Sequence, residues 1–449
     1  MKKARQKPPL RQVLHDFNAQ VDRLLPPPTP ERDGNAVALL TGGAEYFPQA
    51  LQAIAHAHAT VHMETYIFAD DPTGHAFAQA LCDAALRGVE VQLVLDGFGG
   101  QEGVHVFVPR LRQAGVKVRV FRPERWKLKP SPRRLRRMHR KMLAVDGQLA
   151  FVGGINVLDD MNHSGERGEL MPAQLHTQVN SDLINHGLGP RYDFAVKLQG
   201  PVVMDVVHAM QWMWMQIGPG GMVTDTFTSA WWRQRADQWM NLMDAQRQET
   251  PPAPCGPVRA QLALRDNFRL RRRIERAYIQ AIGKAHTSVI LANAYFLPGS
   301  KMRAAIASAR QRGVVVKLLL QGRVEYKFQH HATLHLYDQM LAQGVEVYEY
   351  LPGFLHAKVG VVDSLWATVG SSNLDPLSCL FAREANVLVH NRLFAQTLKA
   401  ALLEAIQNNS RRIQQHSHAA RPFKARAVSW LCYKLMLLAV FVGGFGSRY

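Results

Sequence analysis

The amino-acid sequence predicts an α/β protein of two similar halves, related by a pseudo-twofold axis, each half a mixed sheet flanked by helices. The segments RGVEVQLVL, from Arg87, and RGVVVKLLL, from Arg312, each follow a helical stretch and have the apolar, β-branched composition of a buried strand. Two longer blocks, 139–156 and 356–373, align without gaps at one offset of 217 positions (356 less 139). We therefore expect a site that both halves share on the axis.

The other elements occur in the same order in both halves, which supports the duplication. The predicted equivalent pairs are 60–68 with 287–296, 77–97 with 302–322, 111–123 with 340–352, and 192–198 with 383–389. A Pro-rich stretch, ETPPAPCGP, separates the halves. The predicted organisation is a basic N-terminal segment (1–34), a first half (35–248), a linker (249–257), a second half (258–420) and a basic, apolar, membrane-associating tail (421–449).

The charge balance of the chain is unusual. Its 449 residues include 54 Lys and Arg against 35 Asp and Glu, a formal charge of +19. Such a charge favours a polyanionic partner, either nucleic acid or an anionic lipid surface. The four cysteines are scattered without a CxxC pair, which argues against a zinc site and a disulfide scaffold and fits a reducing cytoplasm. The basic N-terminus is not followed by an apolar run, so no secretory signal peptide is expected.

The apolar tail allows three interpretations. Residues 427–446 read AVSWLCYKLMLLAVFVGGFG, with Lys434 as their only charge. This is close to the roughly 20 residues that a membrane-spanning helix needs, but Lys434 and the terminal glycines weaken that interpretation. A monotopic or re-entrant anchor is favoured over a spanning tail, and a buried core helix is the third interpretation. Basic residues beside Trp430 and Tyr433 are typical of the cytoplasmic interface of an anionic bilayer.

Two His-x-Lys-x4-Asp motifs carry the chemistry. His and Lys alternate along a predicted strand, so both side chains lie on one face. A neutral imidazole can attack phosphorus to form a phosphohistidine, and a second, protonated imidazole can donate to the leaving alkoxide. The lysines neutralise charge that develops on the phosphoryl oxygens. The candidate catalytic residues are His139, Lys141, Asp146, His356, Lys358 and Asp363.

Two further pairs of residues are expected in the same site. Asn156 and Asn373 each end a glycine-rich turn, GGIN and GSSN, and can donate hydrogen bonds to phosphoryl oxygens. An acid that orients each imidazole is also expected. Asp193 and Glu384 occupy equivalent positions after the two motifs and are the candidates. One such motif is weak evidence, but two copies at equivalent positions indicate a catalytic site.

From residue 35 to residue 391 the chain resembles the phospholipase D superfamily, whose signature is this motif pair with its trailing glycines and Asn. The resemblance implies two phospholipase D-like halves, catalysis without a metal or cofactor, and a covalent phosphohistidine. It also implies that His139 is the nucleophile and His356 the general acid and base. The motif aspartates, Asp146 and Asp363, are implied to act more in positioning than in chemistry.

Within the superfamily, the chain resembles bacterial cardiolipin synthases, in particular the B type. The segments that carry this likeness are NAVALLTGGAEYFPQALQAIAHA, METYIFADDPTG, LVLDGFG and GSSNLDPLS. The best-known cardiolipin synthases have a pair of N-terminal transmembrane helices, which neither this sequence nor the B type shows. The resemblance favours transfer of a phosphatidyl group between two phosphatidylglycerol molecules, giving cardiolipin and glycerol.

Two other functions stay open. The first is a phospholipase D-type hydrolase, or a phosphatidyltransferase with another donor or acceptor, and the second is a phosphodiesterase acting on nucleic acid. The expected partners are phosphatidylglycerol and other anionic phospholipids at the cytoplasmic face of the inner membrane, without nucleic acid. Two basic runs, 122–141 and 269–276, are predicted to contact lipid headgroups or, alternatively, to form a solvated surface. The polar stretch 158–191 has no counterpart in the second half and is given no catalytic role.

Overall fold

The structure is a computed structural model that describes residues 29–123, 136–159, 191–218, 241, 244–246, 248–266, 270–324, 327–376, 378 and 382–443. Most of the basic run 122–141 and nearly all of the polar stretch 158–191 lie outside the described residues, as do residues 1–28. The headgroup contact expected of the first basic run therefore stays a prediction.

Strands and helices alternate in the first half. Its strands are β1 (Arg32–Thr41), β2 (Thr60–Thr65), β3 (Glu90–Asp96), β4 (Lys117–Phe121), β5 (Arg137–Met138), β6 (Lys141–Val145), β7 (Leu149–Gly153), β8 (Arg191–Tyr192) and β9 (Phe194–Gln199). Its helices are α1 (Gly42–Ala55), α2 (Pro72–Leu86), α3 (Gln101–Val106), α4 (Val108–Gln113) and α5 (Val202–Gln216).

The second half repeats this order and adds a C-terminal helical extension. Its strands are β10 (Val258–Arg265), β11 (Ser288–Asn293), β12 (Val315–Gln321), β13 (Glu346–Tyr350), β14 (Phe354–Leu355), β15 (Lys358–Val362), β16 (Trp366–Gly370), β17 (Ala382–His390) and β18 (Ser410–Arg412). Its helices are α6 (Arg273–Gly283), α7 (Ser300–Gln311), α8 (Lys327–Ala342), α9 (Arg392–Asn409), α10 (Gln415–Ala419) and α11 (Phe423–Gly443).

One mixed sheet runs through both halves. Its strand order is β18-β13-β12-β11-β15-β16-β17-β10-β1-β9-β7-β6-β2-β3-β4. The order β4-β3-β2-β6-β7-β9-β1 thus recurs as β13-β12-β11-β15-β16-β17-β10, and the halves meet at the antiparallel pair of β1 and β10. In this repeated order the three outer strands of each half are parallel and the inner strands are antiparallel. In the second half, β18 adds an antiparallel edge strand beside β13. The predicted pair of mixed-sheet α/β halves is confirmed.

The Arg-Gly pairs of the repeat end two equivalent helices. The last residue of α2 is followed by Arg87 and then by Gly88, whose φ is +91°. Gly313 has the same role after α7, with φ +85°. A left-handed backbone at this position closes the helix and costs glycine little because it has no Cβ. The chain can then enter the buried strand that follows directly.

The apolar core binds the two halves into one body. One cluster lies within the first half and another within the second. A third cluster combines residues of both halves, among them Val196 and Val206 with Val359 and Leu398. Separating the halves exposes this apolar surface to water, at a cost of about 25 cal/mol per Å². The relative position of the two motifs is therefore fixed by buried packing.

The C-terminal helix α11 packs along α8 through one of its faces. Tyr433 of α11 is buried in a small apolar cluster with Leu336 of α8 and with Leu297. On the other face, Leu431 and Leu435 are 50% and 45% exposed. Of the helices in the described part of the chain, none combines the length and apolar character that a membrane crossing requires.

Candidate active site

The His and Lys of each motif lie at the start of equivalent strands. Lys141 begins β6 and Lys358 begins β15, and the two side chains are 4% and 0% exposed. The ammonium of Lys141 donates to the carbonyl oxygen of His139 at 2.8 Å, and that of Lys358 donates to the carbonyl of His356. Nζ of Lys358 also lies 3.7 Å from Oδ2 of Asp193. Burying two ammonium groups is costly, and an anion bound beside them offsets part of that cost.

Each motif histidine is held by the backbone of the opposite half. Strand β5, just before His139, pairs with β17 of the second half, and the His139 N–H donates to the carbonyl of Arg383 at 2.9 Å. Strand β14 pairs in the same way with β8 of the first half, so that the His356 N–H donates to the carbonyl of Tyr192 at 3.0 Å. In each motif, the residues just before the histidine therefore pair with a strand of the other half.

This strand pairing brings each candidate acid against the imidazole of the other half. Nδ1 of His139 lies 3.2 Å from Oε2 of Glu384, and Nδ1 of His356 lies 2.6 Å from Oδ2 of Asp193. A carboxylate at Nδ1 favours the tautomer that carries its proton there and leaves Nε2 free to react. The structure thus brings Asp193, Glu384 and both histidines together in one site.

The two pairs differ in charge state. Burial lowers the pKa of His139, and it lowers that of His356 further, with Lys141 and Lys358 acting in the same direction. Burial also raises the pKa of Asp193 to about 6. Burial raises the pKa of Glu384 as well, but the neighbouring His139 and Lys141 more than offset it and hold that pKa below its ordinary value. Only the Glu384 pair therefore keeps a carboxylate at mildly acid pH.

The ammonium of Lys141 has the properties of a phosphate ligand. Burial lowers its pKa to about 7, with Lys358 acting in the same direction and Glu384 and Asp193 opposing it. A phosphoryl oxygen placed between the two lysines supplies the missing negative charge and restores the charged form. The arrangement fits the stabilisation of an oxyanion by preorganised cations.

Both asparagines are buried, and Asn156 lies beside Asp193. The side-chain oxygen of Asn156 accepts a hydrogen bond from the Ile67 N–H at 3.2 Å. Asn156 also lines a small pocket together with Asp193 and His356. Asn373 is 5% exposed, and its side-chain oxygen is buried without a hydrogen-bond partner in the structure. The role of both amides in holding phosphoryl oxygens stays a prediction.

The motif aspartates lie away from the imidazoles. The carboxylate of Asp146 accepts hydrogen bonds from the N–H groups of His58, Ala59 and Thr60 at 2.7–2.9 Å, at the far end of β6. Because a strand rises about 3.3 Å per residue, five residues separate Asp146 from Lys141 by roughly 16 Å. This geometry agrees with the positioning role that the resemblance implies for Asp146, and its place among the catalytic residues stays a prediction.

Asp363 repeats this arrangement in the second half. Its carboxylate accepts hydrogen bonds from the N–H groups of His286, Thr287 and Ser288 at 2.8–2.9 Å. Both aspartates have a left-handed backbone, with φ +51° at Asp146 and +52° at Asp363. Their carboxylates join the turn after each motif strand to the start of the neighbouring strand, which supports the strand that carries the motif.

Three residues that the sequence did not single out also contact the site. The ring of Tyr66 lies 4.8 Å from the His139 ring and 5.3 Å from the Lys141 ammonium, measured from ring centroids. The hydroxyl of Ser371 donates to Oε2 of Glu384 at 2.5 Å. Arg265 is buried on β10 in register with Glu384. For Ser371 the sequence contained a usable signal. Aligning GSSN with GGIN places Ser371 at the position of Gly154, a difference between the two repeats.

Comparison with known proteins agrees with this geometry. The family model described as "Cardiolipin synthase, PLD-like domain" matches residues 50–171 and 278–405, more than half of the chain. The chain is 35% identical to cardiolipin synthase B of Escherichia coli over 368 residues, 82% of this chain and 79% of that relative. The chain belongs to this family. It is also 28% identical to the major cardiolipin synthase ClsA of Bacillus subtilis over 88% of its length, covering 73% of that relative.

The fold of this family is shared with other enzymes. The structure superposes on phosphatidylserine synthase from Haemophilus influenzae with a TM-score of 0.63, covering 96% of this chain and 99% of that one. The two are 12% identical in sequence, so this likeness concerns the fold alone. It shows that the paired arrangement of the two halves is a known architecture.

Proposed function

We propose that the protein is a cardiolipin synthase that transfers a phosphatidyl group from one phosphatidylglycerol molecule to another through a phosphohistidine. The observation that carries this proposal is the pair of acid–imidazole contacts, Glu384 with His139 and Asp193 with His356, beside two buried lysines. One imidazole attacks phosphorus, and the other donates and then accepts a proton. A double displacement at phosphorus requires both roles. The relatives named cardiolipin synthase supply the substrate class.

In the first step, Nε2 of His139 attacks the phosphorus of phosphatidylglycerol, and the P–O bond to glycerol breaks. His356 donates its proton to the leaving alkoxide. In the second step, His356 removes the proton from a hydroxyl of a second phosphatidylglycerol. That oxygen attacks the phosphorus and the P–N bond breaks, which leaves cardiolipin and glycerol. A bound phosphodiester anion raises the pKa of both imidazoles, so His356 can take up its proton together with substrate.

A hydrolase uses the same two histidines with water as the acceptor, so a product measurement separates the two functions. Purified protein in detergent micelles is given phosphatidylglycerol labelled in an acyl chain, and the His356→Ala variant serves as the control. We expect labelled cardiolipin from the wild-type protein alone. Phosphatidic acid formed without cardiolipin would identify a hydrolase. Cleavage of a short DNA strand instead of lipid would support a nucleic-acid phosphodiesterase.

Helix α11 supports a peripheral position of this enzyme at an anionic membrane. Its exposed face carries apolar side chains, and basic residues flank it, with the Lys434 ammonium 5.8 Å from the Trp430 ring centroid. The helix packs on Leu297, three residues after Ala294, whose N–H donates to the carbonyl of Ala357 between the second motif's His and Lys. These contacts support α11 as the lipid-facing element on the side of the sheet where the second motif begins.

Vesicle binding tests this position. The exposed Leu431 is changed to Glu, and Leu86, which is 72% exposed at the opposite edge of the sheet, is changed to Glu as the matched control. We expect Leu431→Glu to release the protein from vesicles that contain phosphatidylglycerol, and Leu86→Glu to leave binding unchanged. Equal binding of all three proteins would contradict the role of α11. Protease accessibility in cells would test the proposed cytoplasmic face of the inner membrane.

A further inference from the structure

The two acid–imidazole pairs occupy equivalent places but have different surroundings. Oε2 of Glu384 accepts from the Ser371 hydroxyl as well as facing His139. At the equivalent position beside Asp193 the chain has Gly154, where an added Cβ would lie 2.4 Å from both carboxylate oxygens. The acid of the His139 pair is therefore held by a side chain that the other pair has no room for.

Arg265 is a second difference. It is 2% exposed on β10 and lies directly opposite Glu384 of β17, which is fully buried. Side chains directly opposite in an antiparallel pair lie on the same face, with Cβ atoms about 5 Å apart. The Nε of Arg265 donates to the carbonyl of Arg271 at 3.0 Å. Among the described residues, neither of its terminal nitrogens has a hydrogen-bond partner, and neither does Oε1 of Glu384.

At the position equivalent to Arg265 the first half has Gly42, whose N–H donates to the Asp193 carbonyl at 2.8 Å. The cations that face Asp193 are Lys358, 3.7 Å from its Oδ2, together with Lys141 and Arg191. Burial nevertheless raises the pKa of Asp193 to about 6, whereas His139, Lys141 and Arg265 hold the pKa of the equally buried Glu384 below its ordinary value. A buried guanidinium is compensated by a carboxylate that stays ionised.

We propose that Arg265 is a positioning residue for the His139 pair: it keeps Glu384 charged, so that His139 is held in the orientation needed for attack. Its absence beside Asp193 leaves the second pair able to exchange a proton. The pseudosymmetric site is thereby divided into a fixed nucleophile and a proton-exchanging partner. This inference rests on the phosphohistidine chemistry proposed above and does not depend on which alcohol accepts the phosphatidyl group.

Several groups face Glu384 and contribute to its ionisation. They come from the segment after β5, the start of β6, strand β10 and the turn after β16: His139, Lys141, Arg265 and Ser371. Only Arg265 among them lies outside the two motifs and the glycine-rich turns. Changing it therefore alters the charge on Glu384 while it leaves the reacting groups in place.

The test compares Arg265→Met, Arg265→Lys and, as the matched control, Arg259→Met. Arg259 lies on the same strand but pairs with Asp33 at the surface. The rate is measured with phosphatidylglycerol and with a soluble nitrophenyl phosphodiester, which reports cleavage whatever the natural acceptor is. In the wild-type protein the acid side of the pH profile should follow one proton, that of Asp193. In the Arg265→Met variant, Glu384 titrates as well. The rate on the acid side of its pH profile should therefore depend on two protons.

This difference is large enough to measure. One pH unit below the midpoint, a second proton costs about a further tenfold in rate. We expect Arg265→Lys and Arg259→Met to keep the one-proton limb. An Arg265→Met protein that loses rate equally at every pH would show a merely structural role and would overturn the proposal.

A second measurement does not depend on turnover. The carboxyl carbon of Glu384 is followed by NMR in protein labelled with carboxyl-¹³C glutamate, and Glu384→Gln identifies its signal. We expect the Glu384 pKa to rise in Arg265→Met and to stay low in Arg259→Met. An unchanged pKa would overturn the proposal even if the lipid product proved different from cardiolipin.

Discussion

The carboxylate of Asp193 lies 2.6 Å from Nδ1 of His356, although 163 positions separate the two residues. Asp193 belongs to the first half and His356 to the second. The reciprocal contact joins Glu384 of the second half to His139 of the first. Neither half contains a complete acid–imidazole pair, so catalysis by this site requires both halves in one folded body.

Asp193→Asn should impair catalysis without unfolding the protein. The amide keeps the shape of the side chain but cannot hold the protonated Nδ1 of His356 with the same charge. Loss of such an acid costs about 10,000-fold in kcat in triad enzymes, and we expect a fall of about 1,000- to 10,000-fold here. Steady-state rates with labelled phosphatidylglycerol measure it. Asp33→Asn, at an exposed ion pair, is the control and should keep wild-type activity.

The activity of the wild-type protein should fall as the pH drops through about 6, where the buried Asp193 becomes protonated. The pKa of this carboxyl is raised on folding, so its protonated form is the one that folding favours. It therefore contributes stability below its unfolded pKa, and that contribution is lost as the pH rises towards 6. Denaturant unfolding of wild-type and Asp193→Asn protein between pH 4 and about 7 should show a steeper slope in the wild type. A slope remains in the variant because burial also raises the pKa of Asp96 to about 6 and that of Glu64 to about 7.

His139→Ala and His356→Ala should each abolish turnover, because each removes one of the two reacting imidazoles. Acid hydrolyses a phosphohistidine. The reaction is therefore quenched in alkali, and the covalent species is sought by mass spectrometry. With a nitrophenyl phosphodiester as substrate, whose leaving group needs no proton from His356, we expect it in His356→Ala and not in His139→Ala. The reverse pattern would exchange the two assigned roles, and substantial turnover in either variant would contradict a shared site.

Oxyanion binding should weaken as the pH rises above about 7, because Lys141 then loses its proton in the free protein. An anion favours the charged ammonium, so binding requires proton uptake above that pH. Calorimetric titration with sulfate, whose charge is constant over this range, measures both affinity and proton uptake. Lys141→Met should bind weakly with a flatter pH dependence, and Lys117→Met, at a surface ion pair, should behave as the wild type.

Asp146→Asn should lower the free energy of unfolding and have little effect on kcat. The backbone amides of Thr60, His58 and Ala59 offset the effect of burial and hold the Asp146 pKa below its ordinary value. Its carboxylate therefore stabilises the fold at neutral pH, and this contribution is lost as the pH falls through that lowered pKa. We expect the free energy of unfolding to drop by about 1 kcal/mol. A loss of kcat in fully folded Asp146→Asn protein would contradict the positioning role.

Much of the molecule follows from the sequence because the chain is a duplication. Helix ends at Arg87 and Arg312 and the buried parallel strands follow from local composition and from the repeat. The two motifs at a constant offset were enough to predict one shared site, and equivalent positions alone identified Asp193 and Glu384. Local patterns of this kind depend on residues that are neighbours along the chain.

Only the tertiary structure decided which groups meet. The pairing of β5 with β17 and of β14 with β8 exchanges the acids between the halves, and no local pattern encodes a contact across 163 or 245 positions. The geometry of β6 and β15 places the motif aspartates away from the imidazoles, at the end of each strand that they support. Sheet register likewise placed Arg265 opposite Glu384, because burial and cross-strand pairing, not sequence spacing, determine which charge a carboxylate faces.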